Sequence, residues 1–278
     1  MRRLPQWLIK RTPKHANIKA MRSIIGEKVH TVCESAKCPN IGECYSGGTV
    51  TFMILGDICT RSCGFCGVKK GGPYPPDADE PGNVAAAAKK LGLNYVVVTS
   101  VTRDDLPDGG AGHFSRTIRE LRTVNKDIKV EVLIPDFRGS IKDLKAVVRS
   151  RPDVLNHNIE MVPRLYKKIR PSSDYKRSID LLKNAKKIDP DIATKSGFML
   201  GLGETAEEVK DLLKALKDAG CGAVTIGQYI PPSQNSVEVV EYVKPEKFEE
   251  YKNFGRSIGI KKVISGPFVR SSYLAGNY

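Results

Sequence analysis

Six of the seven cysteines of this chain fall in two groups within its first quarter. Cys59, Cys63 and Cys66, here called the loop cysteines, form a Cys-x3-Cys-x2-Cys loop. Three thiolates in so short a loop can reach three corners of one cubic [4Fe–4S] cluster and leave the fourth iron open. Zinc is the alternative, but three cysteines alone make a poor closed tetrahedral site, and His30 and His113 are distant in sequence.

The second group, here called the N-terminal cysteines, consists of Cys33, Cys38 and Cys44 with the spacing Cys-x4-Cys-x5-Cys. This spacing is too irregular for one helix face, and Pro39 and Gly42 predict a loop. Three thiolates again predict a cluster that lacks one protein ligand, with a structural zinc site completed by a remote residue as the alternative. Clustering of this kind indicates metal binding more than disulfides in a reducing compartment.

Short apolar runs alternate with helical stretches after the cysteine region, as in βα units. The runs are almost continuously apolar, which fits parallel strands covered on both faces. Helices are predicted at 83–91 and 204–219. The predicted strands are Thr49–Leu55, Tyr95–Thr99, Val130–Ile134, Val154–Ile159, Ser196–Leu200, Ala223–Ile226 and Lys262–Ile264.

Six or seven such units are fewer than the eight of a closed barrel, which usually needs about 250 residues. We therefore predict an α/β fold, a partial (β/α)6-type open TIM barrel with N-terminal and C-terminal extensions. A doubly wound sheet is the alternative. The predicted domains are an N-terminal extension with the N-terminal cysteines (1–48), the partial barrel (49–260) and a C-terminal segment that closes over those cysteines (261–278).

The chain is strongly basic, with 45 lysines and arginines against 31 aspartates and glutamates. The basic residues are scattered without an aromatic-interleaved motif, so we predict no nucleic-acid partner. Solvated helix faces explain most of them, and an acidic protein partner is the sharper hypothesis. The sequence has no run of roughly 18–20 apolar residues and no signal-peptide core, which predicts a cytoplasmic protein that binds no membrane.

The loop cysteines, with Phe65 before the last of them, resemble the defining motif of the radical S-adenosylmethionine superfamily. Further segments resemble one family within it, the lipoyl synthase family. The similarity spans essentially the whole chain. The segments that resemble this family are residues 31–44, 51–57, 103–110, 156–160, 195–205, 227–229 and 266–273.

The resemblance implies an enzyme, a sulfurtransferase that inserts two sulfur atoms at carbons 6 and 8 of a lysine-linked octanoyl group. It implies two [4Fe–4S] clusters and S-adenosylmethionine as cofactors, with the N-terminal cysteines holding a sacrificial auxiliary cluster that supplies sulfur. The implied partners are an electron donor, an iron–sulfur carrier for cluster rebuilding, and octanoylated lipoyl carrier domains. These domains belong to the acyltransferase subunits of 2-oxoacid dehydrogenases and to the glycine cleavage H protein.

The resemblance also implies that a serine of the C-terminal Arg-Ser-Ser-Tyr motif holds the fourth iron of the auxiliary cluster. Ser271 and Ser272 are the two candidates, and the resemblance favours Ser272. A hydroxyl oxygen is a harder ligand than a thiolate, so it would hold iron more weakly among soft ligands. An exchangeable ligand suits an iron that must later leave.

Four residues are predicted to bind cofactor. Phe65 belongs to the cysteine loop, and Asn158 and Glu160 should face the barrel interior and contact S-adenosylmethionine or the substrate. Arg170 is predicted to contact the carrier lysine or its backbone, with a plain surface arginine as the alternative. Other residues have simpler interpretations: Cys221 as a small buried residue, His157 as a satisfied core histidine, and Gly201-Leu202-Gly203 as weak evidence for a nucleotide loop.

The chain departs from the family pattern in two places. The family has a basic, histidine-bearing stretch where this chain has residues 230–239, and Gly64 and Gly67 are smaller than expected. Two competing hypotheses stay open at this point. One is another radical sulfur-insertion enzyme, similar to biotin synthase, and the other is a non-enzymatic iron–sulfur or zinc-binding protein.

Overall fold

A computed structural model describes residues 4–10, 15–273 and 275–277, so the predicted domain limits at residues 1 and 278 lie outside it. Within these residues, seven parallel strands form one sheet in the order in which they occur along the chain. The strand predicted at 154–159 ends three residues early, and the other six predicted strands are confirmed with small shifts at their ends. The strands are β1 (Thr51–Ile54), β2 (Tyr95–Ser100), β3 (Lys129–Leu133), β4 (Val154–Asn156), β5 (Ala193–Leu200), β6 (Ala223–Gln228) and β7 (Lys262–Ser265).

Helices connect consecutive strands of this sheet. Each connection moves one strand further in the same direction, and right-handed connections then place every helix on the same face. A doubly wound sheet reverses its strand order midway, so that alternative is excluded and the predicted open partial barrel is confirmed. The connecting helices are α1 (Glu80–Lys90), α2 (Ala111–Val124), α3 (Ile141–Arg149), α4 (Tyr175–Ile188), α5 (Ala206–Asp218) and α6 (Pro245–Ser257).

Shorter elements surround the barrel and cover one edge of its sheet. A short strand, His30–Thr31, pairs antiparallel with Phe52 and Met53 of β1, so it and β7 are the two sheet edges. No strand pairing joins these edges in the described part of the chain. The remaining elements are helices His15–Ile25, Val32–Ser35, Ile41–Ser46 and Tyr166–Ile169, 3₁₀ turns Gln6–Leu8, Phe137–Gly139, Pro163–Leu165 and Ala275–Asn277, and a two-stranded sheet of Ile58–Cys59 with Lys69–Lys70.

The interior of the partial barrel is polar because side chains alternate between the two faces of each strand. Outward-facing residues such as Val130 and Val132 are fully buried in the apolar core beneath the helices. The inward-facing Glu131 accepts hydrogen bonds from Tyr95 (2.7 Å), Asn156 (2.9 Å) and Lys195 (3.0 and 3.2 Å). A buried hydrogen-bond network around the Glu131–Lys195 ion pair therefore joins the four neighbouring strands β2 to β5.

Replacing Lys195 with methionine should lower the free energy of unfolding by about 3–5 kcal/mol, because the Glu131 carboxylate stays buried without its positive partner. Lys214→Met is the matched control, since it removes an exposed ion pair with Asp211, and it should have little effect. Urea unfolding followed by circular dichroism measures both variants. Equal stability losses in the two would show that the buried pair contributes no more than a surface pair.

Candidate active site

The loop cysteines follow a turn at the carboxyl end of β1. Leu55 has a left-handed backbone (φ 68°), which residues other than glycine rarely adopt. The N–H groups of Leu55 and Gly56 donate to the Glu80 carboxylate at 2.6 and 3.2 Å, and Arg103 donates to the Leu55 carbonyl oxygen. Glu80 is also hydrogen-bonded to His113. Helices α1 and α2 therefore fix the direction in which the chain enters the cysteine loop.

The loop cysteines are near neighbours, and each of them is partly buried. Burial, with smaller contributions from Cys63 and Cys59, raises the pKa of the Cys66 thiol to about 11. Burial also raises the pKa of Cys63, while the positive charge of the nearby Arg170 opposes the rise. Three thiols that affect one another in this way meet the first requirement for ligands of one cluster.

Arg61, between the first two loop cysteines, ties the loop to the ends of β2 and β3. Its buried guanidinium donates to Asp104 through two nitrogens (2.6 and 2.9 Å) and to Asp136 (2.6 Å). Asp136 also accepts a hydrogen bond from Arg177. Neither Arg61 nor Asp136 was predicted from the sequence as a site residue. The sequence did contain a signal for this contact. An arginine lies inside the cysteine loop, and an aspartate follows each of the neighbouring strands β2 and β3.

A cavity of about 130 Å³ lies at the carboxyl ends of β2, β3 and β4. Its lining includes Asn158, Glu160 and Arg170, so the structure brings together three of the four predicted cofactor-binding residues. The fourth, Phe65, is not part of this lining and packs, half-buried, against the apolar core. Arg170 donates to the Ile159 carbonyl oxygen (3.2 Å) and to the Tyr166 hydroxyl (3.3 Å), so it is not a plain surface arginine. Its charge acts on the Cys63 thiol, which places the cavity near the loop cysteines.

Two buried nitrogens facing this cavity have no hydrogen-bond partner among the described residues, namely Nε of Arg170 and Nε2 of His157. The Nδ1 atom of His157 bonds the Ile134 carbonyl oxygen (2.8 Å), so the prediction of a satisfied histidine is confirmed for this nitrogen alone. Burial lowers the pKa of His157 to about 4 and raises that of Glu160, whose rise Arg170 opposes. Because buried polar groups are normally paired, these nitrogens fit a ligand with several acceptor atoms, such as S-adenosylmethionine.

The N-terminal cysteines lie on two short helices and the turn between them, so the loop predicted for this run is wrong. The Thr31 side chain begins the first helix by accepting the N–H of Glu34 (3.4 Å). Pro39 lies in the turn, where it interrupts no helix, and Gly42 is tolerated in a helix of six residues. The cysteines are Cys33 in Val32–Ser35, Cys38 in the turn and Cys44 in Ile41–Ser46.

The two candidate serines face different parts of the site. A cavity is lined by all three N-terminal cysteines and by Ser272. The Ser272 hydroxyl accepts a hydrogen bond from Thr51, the first residue of β1 (2.9 Å). Ser271 instead exchanges hydrogen bonds with the side chain of Asn158 (2.8 and 3.1 Å). Of the two serines, the structure therefore brings Ser272 to the cysteines and Ser271 to the cavity beside the loop cysteines.

Residues 266–273, here called the C-terminal strap, run from the end of β7 past β6 to the start of β1. The strap passes so close to β6 that a Cβ atom on Gly227 would lie 2.1 Å from the Val269 carbonyl oxygen, so only glycine fits there. The Asn40 side chain, between the N-terminal cysteines, donates to the Phe268 carbonyl oxygen (2.7 Å). These contacts hold the strap against both the barrel and the N-terminal helices.

The residues around the N-terminal cysteines fit a negatively charged cluster. Burial raises the pKa of the Cys33 thiol to about 12 and that of Cys44 to about 11. Arg270 lies near Cys38 and donates to the Val269 carbonyl oxygen (2.7 Å), and no carboxylate among the described residues pairs with it. A sheltered cation without a carboxylate favours an anionic partner, which three thiolates and a cluster supply.

In the ranges that the structure describes, no three histidine, cysteine, aspartate or glutamate side chains are grouped to hold one metal ion. Each cysteine of a cubic cluster binds a different iron, so such cysteines do not converge on one point as zinc ligands do. The separation of the cysteines is therefore compatible with a cluster at either group.

Two further predictions concern residues outside the site. Cys221 is buried at 3% exposure, which confirms its interpretation as a small buried residue. In the Gly201-Leu202-Gly203 segment, the N–H groups of Gly201 and Leu202 both donate to the Glu204 carboxylate. A phosphate would need those same donors, so this segment is not arranged as a nucleotide-binding loop.

Comparison with known proteins agrees with this geometry. Residues 53–216 match the family model of the radical SAM superfamily. Solved structures with the same fold include methylornithine synthase, with a TM-score of 0.54 at 12% identity over 77% of this chain and 70% of that one. They also include the FeFe-hydrogenase maturase HydG from Carboxydothermus hydrogenoformans, with a TM-score of 0.59 at 15% identity over 78% and 59%. The chain is thus of the radical S-adenosylmethionine class, which implies a [4Fe–4S] cluster and S-adenosylmethionine.

Curated relatives narrow this class to one family. The chain is 54% identical to the lipoyl synthase of Caldanaerobacter subterraneus subsp. tengcongensis over 98% of this chain and 96% of the relative. It is 55% identical to the lipoyl synthase of Caldicellulosiruptor saccharolyticus over 98% and 95%. The chain belongs to the lipoyl synthase family. The hypotheses of a non-enzymatic protein and of an enzyme similar to biotin synthase are thereby set aside.

None of the described helices is long and apolar enough to cross a bilayer.

Replacing Asp136 with asparagine should lower the free energy of unfolding by about 2 kcal/mol at pH 7. Burial alone would raise the pKa of Asp136, but Arg61 more than offsets this and lowers it from 3.8 to about 2. A carboxyl with a lowered pKa contributes stability above its unfolded pKa and loses it as the pH falls through its folded pKa. The stability difference between wild type and variant should therefore narrow from about pH 4 towards pH 2.

Urea unfolding of the cluster-free chain at a series of pH values measures this difference. If the difference in free energy of unfolding between wild type and Asp136→Asn stays constant over the whole acidic range, Arg61 does not stabilise the ionised form of Asp136.

Proposed function

We propose that this chain inserts two sulfur atoms, at carbons 6 and 8, into an octanoyl group linked to a lysine of a lipoyl carrier protein. The observation that supports this most is that two cysteine groups flank β1, one group beside Thr51 at its start and the other after its end. The C–H bonds of an octanoyl chain have no polar neighbour, so acid–base groups cannot activate them. A radical source and a sulfur source held in one barrel meet the needs of this reaction by proximity.

In this proposal the loop cysteines hold one [4Fe–4S] cluster, which binds S-adenosylmethionine and, when reduced, supplies a 5′-deoxyadenosyl radical. Arg170 offers its unpaired Nε to acceptor atoms of S-adenosylmethionine or the carrier. Asn158 and Glu160 present an amide and a carboxylate to its polar groups from the same cavity. Phe65 packs against the apolar core and so holds the loop between Cys63 and Cys66 in position.

The N-terminal cysteines and Ser272 hold the second, auxiliary [4Fe–4S] cluster, which supplies the sulfur atoms. The hydrogen bond from Thr51 keeps the Ser272 oxygen at the cysteine cavity, where it can complete the ligand set. Arg270 offsets negative charge there. The C-terminal segment thus closes over this site, as the proposed division of the chain into residues 1–48, 49–260 and 261–278 requires.

The carrier reaches the loop cysteines past two exposed lysine pairs. Lys69-Lys70 forms a strand in which Lys70 is paired with Cys59, and Lys167-Lys168 directly precedes Ile169, whose carbonyl oxygen accepts the N–H of Gly64. These cations would attract an acidic domain. The proposed carriers are acyltransferase subunits of 2-oxoacid dehydrogenases and the glycine cleavage H protein, and an electron donor and an iron–sulfur carrier complete the partners.

Single cysteine variants test the division of labour between the two groups. Cys63→Ala should abolish cleavage of S-adenosylmethionine, because the cluster that binds it loses one of three ligands. Cys38→Ala should leave 5′-deoxyadenosine formation measurable and stop sulfur insertion. Cys221→Ala, which touches neither group, is the control. Near-native lipoyl product from the Cys38 variant on an octanoylated carrier would refute the two-cluster assignment.

Serine variants test the fourth ligand of the auxiliary cluster. Ser272→Ala should still cleave S-adenosylmethionine but make little lipoyl product. Ser272→Cys should hold iron at least as firmly, since thiolate is the softer ligand, and should still be impaired because that iron leaves less easily. Iron analysis and product mass spectrometry measure both effects, with Ser257→Ala, an exposed serine at the end of α6, as the control. Full activity of Ser272→Ala would remove this residue from the site.

A further inference from the structure

Residues 230–239, here called the covering loop, pack against Gly64 and Gly67, which are neighbours in sequence of Cys63 and Cys66. The N–H of Val237 donates to the Gly64 carbonyl oxygen (3.0 Å), while the N–H of Gly64 donates to the Ile169 carbonyl oxygen (2.8 Å). Tyr229 at the base of the covering loop donates its hydroxyl to the Val237 carbonyl oxygen (2.7 Å). The backbone between Cys63 and Cys66 is therefore held from both sides.

Side-chain packing shows how closely the covering loop fits. A Cβ atom on Gly64 would lie 2.6 Å from Cγ2 of Val237. A Cβ atom on Gly67 would lie 2.9 Å from Cβ of Pro232 and 3.3 Å from the carbonyl oxygen of Ala36. Real Cβ atoms do not lie within 3.0 Å of another heavy atom, so a larger residue at either position would displace the covering loop.

These contacts connect features that the sequence shows as separate. The two small residues in the cysteine loop and the unusual residues 230–239 meet in space, and each makes room for the other. The contact of Gly67 with Ala36 also brings the loop cysteines up against the helix that bears Cys33. The tip of the covering loop, Ser233 to Asn235, is exposed, and its base at Val237 is partly buried against the core.

We propose that Val237 and Pro232 are positioning residues for the loop cysteines: the covering loop closes the outer side of their cluster and limits access of chelators and oxidants. This inference rests on the proposed function only in taking Cys59, Cys63 and Cys66 to hold an iron–sulfur cluster. The mechanism is steric and needs no further cofactor. Ile169 opposes the covering loop and precedes Arg170, so the same clamp keeps the guanidinium at Cys63.

The test is a pair of variants that remove and restore the fit. Gly64→Ala should push Val237 away and open the site, whereas Val237→Ala deletes the clashing Cγ2 atom and keeps the backbone hydrogen bond. The double variant Gly64→Ala with Val237→Ala should recover the fit. Gly72→Ala is the matched control, since a Cβ atom there meets nothing within 4 Å and its backbone is not left-handed.

Two measurements follow each variant. In the reconstituted chain, Gly64→Ala should lose iron to a chelator about tenfold faster than the wild type. The double variant should lose iron at a rate within about twofold of that of Val237→Ala. In the cluster-free chain, per-residue labelling of Cys66 and proteolysis between residues 233 and 236 should increase in Gly64→Ala alone. Cys44 labelling is the internal reference for general loosening.

Each outcome decides the proposal. If Gly64→Ala does not fold, a folded, cluster-holding double variant is the supporting result, and a double variant that also fails contradicts the steric pairing. Gly64→Ala behaving as Gly72→Ala in both measurements would overturn the proposal. A wild-type chain that binds no iron would refute the proposed function instead, while the labelling and proteolysis would still judge the packing of the covering loop.

Discussion

The hydrogen bonds between Asn158 and Ser271 join the two halves of the site. Asn158 lines the cavity beside Cys63, and Ser271 directly precedes Ser272, which reaches the N-terminal cysteines. A shift of the C-terminal strap would therefore move Asn158 in the cavity, and a shift of Asn158 would move the strap. A reaction in which a radical formed at one group is captured at the other needs a fixed distance between the two cysteine groups. Small displacements of reacting groups lower the rate steeply.

The open edge of the sheet makes this connection possible. A closed barrel fills its interior with layers of side chains, which leaves no room for a chain segment. Here β7 and the short strand His30–Thr31 stay unpaired with each other in the described residues, and the strap crosses where pairing would otherwise close the sheet. Gly227 provides the remaining space on β6. The N-terminal helices then cover the opening, which brings the N-terminal cysteines to the same place.

Local pattern was enough to predict the strands, because buried parallel strands are apolar on both faces and short. The cysteine groups were predictable from spacing alone, since thiolate chemistry depends on residues close in sequence. The helices around Cys33 and Cys44 were missed because Pro39 and Gly42 are strong loop signals. Pro39 in fact lies in the turn between the helices, and the Thr31 side chain caps the first of them. The partners of Arg61 were missed for another reason: Asp104 and Asp136 are distant in sequence and meet it only because β2 and β3 are neighbours.

The arginines of the site differ in how their charge is balanced. Arg61 is neutralised by two aspartates, so it anchors the loop without adding net charge. Arg170 and Arg270 have no carboxylate ion pair among the described residues and lie beside Cys63 and Cys38. Burial disfavours the thiolate form at both cysteine groups. A nearby positive charge stabilises the thiolate and so opposes this effect. Each cysteine group thus has one arginine placed to favour the thiolates that a cluster requires.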